Sequence, residues 1–228
     1  MQSPQLLPDD VISIIASYLK LVDIYNWSCV CRYFCKQFDI KSLIIKKINS
    51  RLFEIFGDKL SDFKESLAST GAIIFGSFVL QCILGEEWSN IDIYVPIKGN
   101  HSLSSTVYDS IDKSWIYSNN NFRLTDIDKF MIKNMELDYR SEYPYESNPS
   151  IVQVNTFASP INKIKFFSYI IQTIRLNTDT TLEEFAEKYF DLSVDKCMYY
   201  GDDRIVLFSL HNVFNKITDY KTTSPASL

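Results

Sequence analysis

Residues 72–85 read Ala72-Ile73-Ile74-Phe75-Gly76-Ser77-Phe78-Val79-Leu80-Gln81-Cys82-Ile83-Leu84-Gly85, and this segment sets the architecture of most of the chain. The apolar run 72–75 predicts a buried strand, because a short apolar run that ends at a turn signal is typical of strands. Gly76-Ser77 predicts a tight turn, and 78–84 predicts a buried helix that ends at Gly85. A second strand is predicted over 91–95, so the segment indicates an α/β unit.

The second predicted strand carries polar residues at alternate positions. It is entered through Ser89-Asn90-Ile91-Asp92, in which Asn90 and Asp92 are two residues apart. Side chains two apart on a strand point to the same side of the sheet. We therefore expect the Asn90 amide and the Asp92 carboxylate to share one face.

The order of strand, Gly-Ser turn, helix and acid-bearing strand resembles the core of the nucleotidyltransferase superfamily. The resemblance implies that the Gly76-Ser77 backbone and the Ser77 hydroxyl hold a triphosphate. It also implies that two carboxylates on the second strand, with a third from a neighbouring strand, clamp two divalent cations that align the reacting oxygens. This chain departs from that pattern, because Asn90 stands where the first acid belongs and only Asp92 matches the second.

The third acid of such a metal site has no clear counterpart in the sequence. In the predicted strand 151–155 the expected position is occupied by Gln153, which is neutral. Asp191 keeps a two-acid remnant open, with Asp92 and Asp191 as candidate catalytic and metal-binding residues. The interpretation that we prefer is a degenerate site that uses no cofactor. Mg²⁺ and a nucleotide are required only under the alternative, a metal-dependent transferase that uses the Gly-Ser turn and Asp92.

The amino-terminal segment has the pattern of an amphipathic helix that begins near Pro8. One apolar stripe of this helix consists of Val11, Ile14, Ile15, Tyr18 and Leu19. A second helix is predicted with an inner side made of Ile24, Trp27, Cys31 and Phe34. Helices this short do not bury enough surface to be stable alone, so they must pack on the rest of the chain or on a partner.

The same segment resembles the F-box, a three-helix module that docks on a Skp-type adaptor of cullin-based ubiquitin ligases. The resemblance covers about residues 5–48 and rests on the Leu7-Pro8 opening and the Val30-Cys31-Arg32-Tyr33-Phe34 block at the expected separation. It implies that the residues that face the adaptor, or brace the helices that do, are Leu7, Pro8, Val11, Ile15, Leu19, Val30 and Cys31. The alternative is an ordinary amphipathic helical hairpin within one continuous domain.

The fold class predicted by these patterns is α+β, with a three-helix F-box module at 1–48 and a mixed α/β nucleotidyltransferase-like domain at 70–215. A helical connector at 49–69, broken at Gly57-Asp58 and interpreted as a stalk, joins the two, and 216–228 is predicted to be a flexible tail. The remaining predicted helices lie over 101–113, from 160 to about 176 and from Thr181 onward. The remaining predicted strands are two within 121–139 and one each over 151–155, 189–193 and 204–208.

Composition and charge restrict the function classes. Of the 228 residues, 46% are hydrophobic and 22% charged, so the chain is globular and not disordered throughout. Its 23 basic and 28 acidic side chains give a formal net charge of −5, which argues against nonspecific binding of nucleic acid. No apolar run approaches the ~20 residues that cross a bilayer. We therefore expect neither a membrane nor a nucleic acid as a partner.

The cysteines indicate a reducing compartment. There are five, an odd number, which predicts reduced thiols and a cytosolic or nuclear location. Cys29, Cys31 and Cys35 are close in sequence, but no fourth zinc ligand is near them. We interpret these three as buried structural thiols.

Together, the two resemblances predict a substrate-recruiting F-box subunit. The first helices would bind the adaptor and, through it, a cullin, whereas an inactive nucleotidyltransferase-like domain would bind an unknown protein substrate. The associated ligase would supply the covalent chemistry, so we expect no enzyme activity of this chain. The combination resembles F-box proteins carried by large DNA viruses, which redirect ubiquitination in the infected host cell.

Overall fold

The structure is a computed structural model that describes residues 7–97, 106–109, 114–117, 124–135, 138–142, 151–158, 169–177, 181–190, 196–207 and 209–217. The described residues combine helices with a mixed β-sheet, which confirms the predicted α+β class. None of the helices within these ranges is long and apolar enough to span a lipid bilayer.

The amino-terminal third of the chain is helical. Its helices are α1 (Asp9–Ser17), α2 (Leu21–Val30), α3 (Arg32–Gln37), α4 (Ile40–Phe56) and α5 (Leu60–Thr70). Between α4 and α5 lies a single 3-10 turn, Gly57–Lys59. The amino-terminal helix and the break at Gly57-Asp58 are therefore both confirmed.

Nine strands follow in the described part of the chain. They are β1 (Ile73–Phe75), β2 (Asn90–Ile97), β3 (Thr106–Asp109), β4 (Ser114–Tyr117), β5 (Asp138–Glu142), β6 (Ile151–Ala158), β7 (Ile170–Asn177), β8 (Cys197–Tyr200) and β9 (Ile205–Leu207). Seven of them form one sheet in the order β5-β6-β7-β2-β1-β8-β9, while β3 and β4 pair separately. Within the large sheet β2 and β7 run parallel, and the other described pairs are antiparallel.

Four further helices lie between or after the strands. They are α6 (Ser77–Leu84), α7 (Asp126–Asn134), α8 (Leu182–Tyr189) and α9 (Leu210–Phe214). The predicted strand–turn–helix–strand unit is confirmed, because α6 connects β1 directly to β2. Gly76 forms the turn with φ of 81°, a conformation in which a residue with a Cβ is strained. The helix predicted from Thr181 onward is also confirmed, as α8.

One face of the sheet carries the larger hydrophobic core. Helix α4 contributes a side chain every fourth residue to this core, namely Ile44, Ile48, Leu52 and Phe56. These side chains are in the same buried cluster as Phe78 of α6 and Ile93 of β2. The interpretation of the connector as a stalk is therefore wrong, because its helices pack against the sheet. The predicted boundaries of the separate units stay predictions.

The opposite face of the sheet carries a smaller core. Helix α8 covers part of this face with Leu182, Phe185 and Ala186, which are buried together with Ile73, Ile174 and Leu176. A capping box fixes the start of α8, because the Thr181 hydroxyl accepts from the Glu184 N–H and the Glu184 carboxylate accepts from the Thr181 N–H.

We call the part of the chain from residue 70 onward, which contains the seven-stranded sheet, the larger unit. Three elements of this unit were predicted wrongly. Residues 106–109 form β3 where a helix was predicted over 101–113, and the rest of that prediction lies outside the described residues. Helix α7 occupies part of 121–139, where two strands were predicted. A Thr125–Asp128 capping box starts α7, and the buried Asp128 carboxylate also accepts a hydrogen bond from Thr173.

The third wrong element is the helix predicted from residue 160 to about 176, because its second half forms β7, while 160–168 lies outside the described residues. This strand is rich in β-branched residues, which favour a pleated surface. The strand predicted over 151–155 is confirmed as part of β6, and β9 confirms the strand 204–208 over 205–207. Most of the strand predicted over 189–193, together with 218–228 of the predicted tail, lies outside the described residues.

Candidate functional site

The amino-terminal helices expose apolar side chains that a folded chain usually covers. Among the described residues, seven large hydrophobic side chains are exposed, and four of them lie between residues 7 and 30. Their exposed fractions are 46% for Leu7, 59% for Ile14, 86% for Tyr18 and 72% for Val30. We call these four residues the N-terminal surface. Ile14 and Tyr18 are four residues apart, so they lie on the same side of α1. Exposed apolar residues that are close together mark interaction sites more often than isolated ones do.

Of the helices that carry the N-terminal surface, α2 is anchored on the larger unit and α1 is anchored on α3. Ile24 of α2 is buried, and the Tyr25 ring packs on Phe214 of α9 with a centroid distance of 4.7 Å. Helix α1 is held by the buried Ile12 and by the Tyr33 hydroxyl, which donates to Asp9 Oδ1 at 3.0 Å. The exposed apolar side chains are therefore presented by helices whose inner sides are fixed.

The residues that the F-box resemblance assigned to the adaptor fall into two groups. Leu7, Pro8, Val30 and Cys31 are exposed, whereas Val11, Ile15 and Leu19 are half-buried. The most exposed positions of the predicted stripe are Ile14 and Tyr18, which that assignment omitted. Helical spacing predicted the helix, but the buried side chain of α1 is Ile12, which the predicted stripe omits. The packing of α1 on its neighbours therefore decides which residues face outward.

The three clustered cysteines are free and exposed, so the interpretation as buried structural thiols is wrong. For Cys31 the reason is that the predicted second helix is broken at this residue. Cys31 has extended backbone angles, φ −157° and ψ 163°, and separates α2 from α3. Cys31 therefore leaves the inner side that was predicted for it, while Trp27 and Phe34 remain packed together at a centroid distance of 4.7 Å.

The second candidate site lies where β1 ends beside β2. Antiparallel pairing places Phe75 opposite Asp92, so the Gly76-Ser77 turn comes next to the entry of β2. On the other side of β2, parallel pairing places Gln172 of β7 next to Asp92. We call the group Gly76, Ser77, Asn90, Asp92 and Gln172 the Asp92 corner. The structure thus brings together the Gly-Ser turn and the acid that the sequence singled out.

The Asp92 carboxylate has one hydrogen-bonding neighbour in the described residues. The Asn90 Nδ2 group lies 3.3 Å from Oδ1 and 3.2 Å from Oδ2 of Asp92, which confirms that the two side chains share a face. Burial raises the pKa of Asp92 above its ordinary value, and the Asn90 hydrogen bond only partly opposes this shift. The corner therefore holds a single, partly desolvated carboxylate supported by a neutral amide.

The prediction that Gln153 occupies the slot of the third acid is wrong. Gln153 points to the other face of the sheet, where it is buried and accepts a 2.5 Å hydrogen bond from Arg175. Beside Asp92 the register places Gln172 and then Thr156, both uncharged. The alternation along β6 was predictable, but which strand borders β2 depends on pairing between distant segments.

Asp191, the second acid predicted from the sequence, lies outside the described residues. Glu86, on the loop before β2, is exposed and pairs with Lys216 Nζ at 2.7 Å. The described ranges contain no group of three His, Cys, Asp or Glu side chains placed to hold a metal ion. A single carboxylate does not supply the ligand set that the nucleotidyltransferase resemblance implies.

The two candidate sites differ in chemistry, because one is apolar and exposed and the other is polar and half-buried. No protein-family model matches the chain, and no curated protein matches it. The choice of function therefore depends on the residues and the contacts described above.

Proposed function

We propose that this chain is a substrate-recruiting F-box subunit. The N-terminal surface binds a Skp-type adaptor and, through it, a cullin. The larger unit, built on the seven-stranded sheet, binds the protein that the associated ligase modifies. No covalent step is required of this chain under the proposal.

The observation that carries the proposal is the exposure of Leu7, Ile14, Tyr18 and Val30. Fully burying an exposed aliphatic side chain is worth roughly 1.5–3 kcal/mol, and association itself costs roughly 4–15 kcal/mol. The four side chains are already partly covered, so together with the exposed Pro8 they offset the lower part of that cost. The fixed inner sides of α1 and α2 reduce the ordering cost of binding.

The test is co-elution of the full chain with a purified Skp-type adaptor on a sizing column. The wild type should co-elute with the adaptor, and the triple variant Ile14→Ser, Tyr18→Ser, Val30→Ser should not. Because the three side chains are exposed, the variant should keep the circular-dichroism spectrum of the wild type.

A matched control removes an exposed apolar side chain from another part of the chain. Phe53 on α4 is 55% exposed, close to the value for Ile14, and lies outside the N-terminal surface. The Phe53→Ser variant should co-elute with the adaptor as the wild type does. The proposal is rejected if the wild type does not bind the adaptor, or if the triple variant binds as well as the control.

A second function, metal-dependent nucleotidyl transfer, is favoured by the closeness of the Gly76-Ser77 turn to Asp92. It predicts transfer from a nucleoside triphosphate in the presence of Mg²⁺ or Mn²⁺, with loss of the activity in Asp92→Ala. The absence of a second carboxylate at Asn90 weighs against this candidate. Activity that survives in Asp92→Ala would come from a contaminating enzyme and would not support it.

A further inference from the structure

The Asp92 carboxylate has no cationic partner among the described residues. The five ion pairs within those ranges use Glu54, Asp203, Asp126, Glu183 and Glu86. Within the same ranges the hydrogen-bond donor to Asp92 is the neutral Asn90 amide. A carboxylate that is partly removed from water is costly unless a positive group balances it. Among the described residues no positive group balances the charge of Asp92.

Aromatic rings border the carboxylate on the same face of the sheet. Phe75 is opposite Asp92 in the neighbouring strand, and Tyr94 is two residues further along β2. Phe190 packs against both rings, with centroid distances of 4.4 Å to Phe75 and 5.9 Å to Tyr94. The faces of aromatic rings are negative and attract cations. Phe75 is only 2% exposed, so the rings that can add to the effect of the carboxylate are the half-buried Tyr94 and Phe190.

Neutral hydrogen-bond acceptors complete the surroundings of Asp92. Gln172 Nε2 lies 3.3 Å from Thr156 Oγ1 and donates to it, which leaves the Gln172 carbonyl oxygen as an acceptor. The Asn90 side chain offers a second carbonyl oxygen, whose only described contact is the Ser89 hydroxyl at 3.4 Å. One carboxylate, two amide oxygens and neighbouring rings suit an organic cation of single charge better than a divalent metal ion.

Among the described residues, the two ends of this sheet face differ in exposure. Helix α8 covers the part of the face around Ile174 and Leu176. At the other end Ile170, which pairs with Asn90, is 41% exposed. A long side chain of another protein can therefore reach Asp92 over Ile170, with its apolar stem on Ile170 and its charged end at the carboxylate.

We propose that the Asp92 corner binds an arginine side chain of the protein that the larger unit recruits. A guanidinium is planar, carries five donors and stacks on aromatic rings, so it can use the carboxylate, both amide oxygens and the rings together. This inference rests on the proposed function, since it names the chemical group by which the recruited protein is recognised.

The test is an NMR titration of the ¹⁵N-labelled full chain with acetyl-arginine amide, followed on the side-chain amide signals of Asn90 and Gln172. The matched probe is acetyl-citrulline amide, which has nearly the same shape without the charge. The arginine compound should give saturable shifts, and the citrulline compound should bind at least tenfold more weakly. In Asp92→Asn the arginine response should be lost, whereas in the control Asp126→Asn, an exposed carboxylate on α7, it should persist.

Three outcomes would overturn the inference. The first is an equal response to the two compounds, a comparison that needs only the wild type and so does not depend on the folding of a variant. The second is a response that persists in Asp92→Asn. The third is displacement of the arginine compound by Mg²⁺ at an equal or lower concentration, which would identify a metal site. Adaptor co-elution reports on the N-terminal surface alone, so Asp92→Asn should leave it unchanged and the two proposals fail separately.

Discussion

The N-terminal surface exposes apolar side chains to water, whereas the Asp92 corner partly removes a carboxylate from water. The first leaves Ile14 and Tyr18 in water, where apolar groups are unfavourable, and the second withdraws Asp92 from water, where a carboxylate is most stable. Both arrangements are less favourable in the isolated chain than they would be with a ligand. At the N-terminal surface a partner that covers the apolar side chains would be stabilising, and at the Asp92 corner a cation would be stabilising.

The two regions also differ in their support. The Asp92 corner lies in the middle of the seven-stranded sheet, between β1 and β7. The N-terminal surface lies on short helices that depend on α2 packing against the larger unit. Substitutions in the core should therefore destabilise both regions. Substitutions within the N-terminal surface or within the Asp92 corner should alter binding at that region alone.

The largest effect on the free energy of unfolding is expected for a substitution in α4, because this helix supports both regions. Ile48 is fully buried in the larger core, so Ile48→Ala removes buried methyl groups and leaves a cavity. We expect the free energy of unfolding to fall by ~3 kcal/mol, measured by urea denaturation. The control Phe53→Ala, an exposed side chain on the same helix, should change it by less than about 0.5 kcal/mol. Similar small effects at both positions would mean that α4 does not belong to the core of the sheet.

The second effect concerns the contact between α4, α5 and the turn after β8. Asp203 Oδ1 receives hydrogen bonds from Asn49, Lys64 and Tyr199 at 2.9, 2.6 and 2.7 Å. Asp203→Asn keeps a residue that tolerates the local φ of 63° but removes the charge, and should cost ~1 kcal/mol at pH 7. The estimate is modest because the Asp203 side chain is 43% exposed.

The same residue gives a pH dependence of known sign. Burial acts to raise the pKa of Asp203, but the hydrogen bonds from Lys64, Asn49 and Tyr199 outweigh it and the pKa is lowered. A lowered pKa contributes stability above the unfolded-state value of about 3.9, and this contribution is lost as the pH falls through the folded-state value. The stability difference between wild type and Asp203→Asn should therefore shrink below about pH 4. A difference that grows on acidification would contradict the assignment.

The third prediction concerns Asn90→Asp, which restores the acid that the Asp92 corner lacks. In Asn90→Asp two carboxylates would share the face on which Asn90 Nδ2 now lies 3.2 Å from Asp92 Oδ2. Like charges at this distance should lower the free energy of unfolding by ~1 kcal/mol in a metal-free buffer. Mn²⁺ should recover the melting temperature in this variant and should leave the wild type unchanged. An equal response of both proteins to Mn²⁺ would show that the wild-type corner already binds the metal.

The smallest effect on stability is expected at the N-terminal surface. Tyr18→Ser and Val30→Ser remove exposed side chains and should each change the free energy of unfolding by less than about 0.5 kcal/mol. Adaptor affinity should nevertheless fall at least tenfold in the double variant, measured by calorimetric titration. A loss of stability above 1 kcal/mol would indicate that these side chains are covered within the chain.

The segments that sequence patterns predicted well are those in which local signals agree. The apolar run before Gly76, the glycine itself and the polar alternation at Asn90 and Asp92 all indicate the same unit, and β1, α6 and β2 follow them. Helix α1 was also predictable from spacing, although its buried side chain, Ile12, lies outside the predicted stripe. In both places the pattern depends on neighbours within a few residues.

The wrong predictions concern features that distant parts of the chain decide. Gln153 was assigned to the acid slot because it lies on a strand, but its face and its distance from Asp92 are set by the pairing of β6 with β7 and of β7 with β2. Cys31 was placed on an inner side by helical spacing that the break between α2 and α3 interrupts. Helix α7 depends on a capping box whose Asp128 is buried against Thr173 of a later strand.

We propose that the N-terminal surface is left uncovered in the isolated chain because a protein partner covers it. Hydrogen–deuterium exchange of the full chain, with and without a Skp-type adaptor in excess, tests it directly. We predict that the adaptor slows exchange in α1 and in the second half of α2, while exchange in α6 and β2 stays unchanged. Unchanged exchange in α1 and α2 at saturating adaptor, or protection confined to the sheet, would contradict the claim.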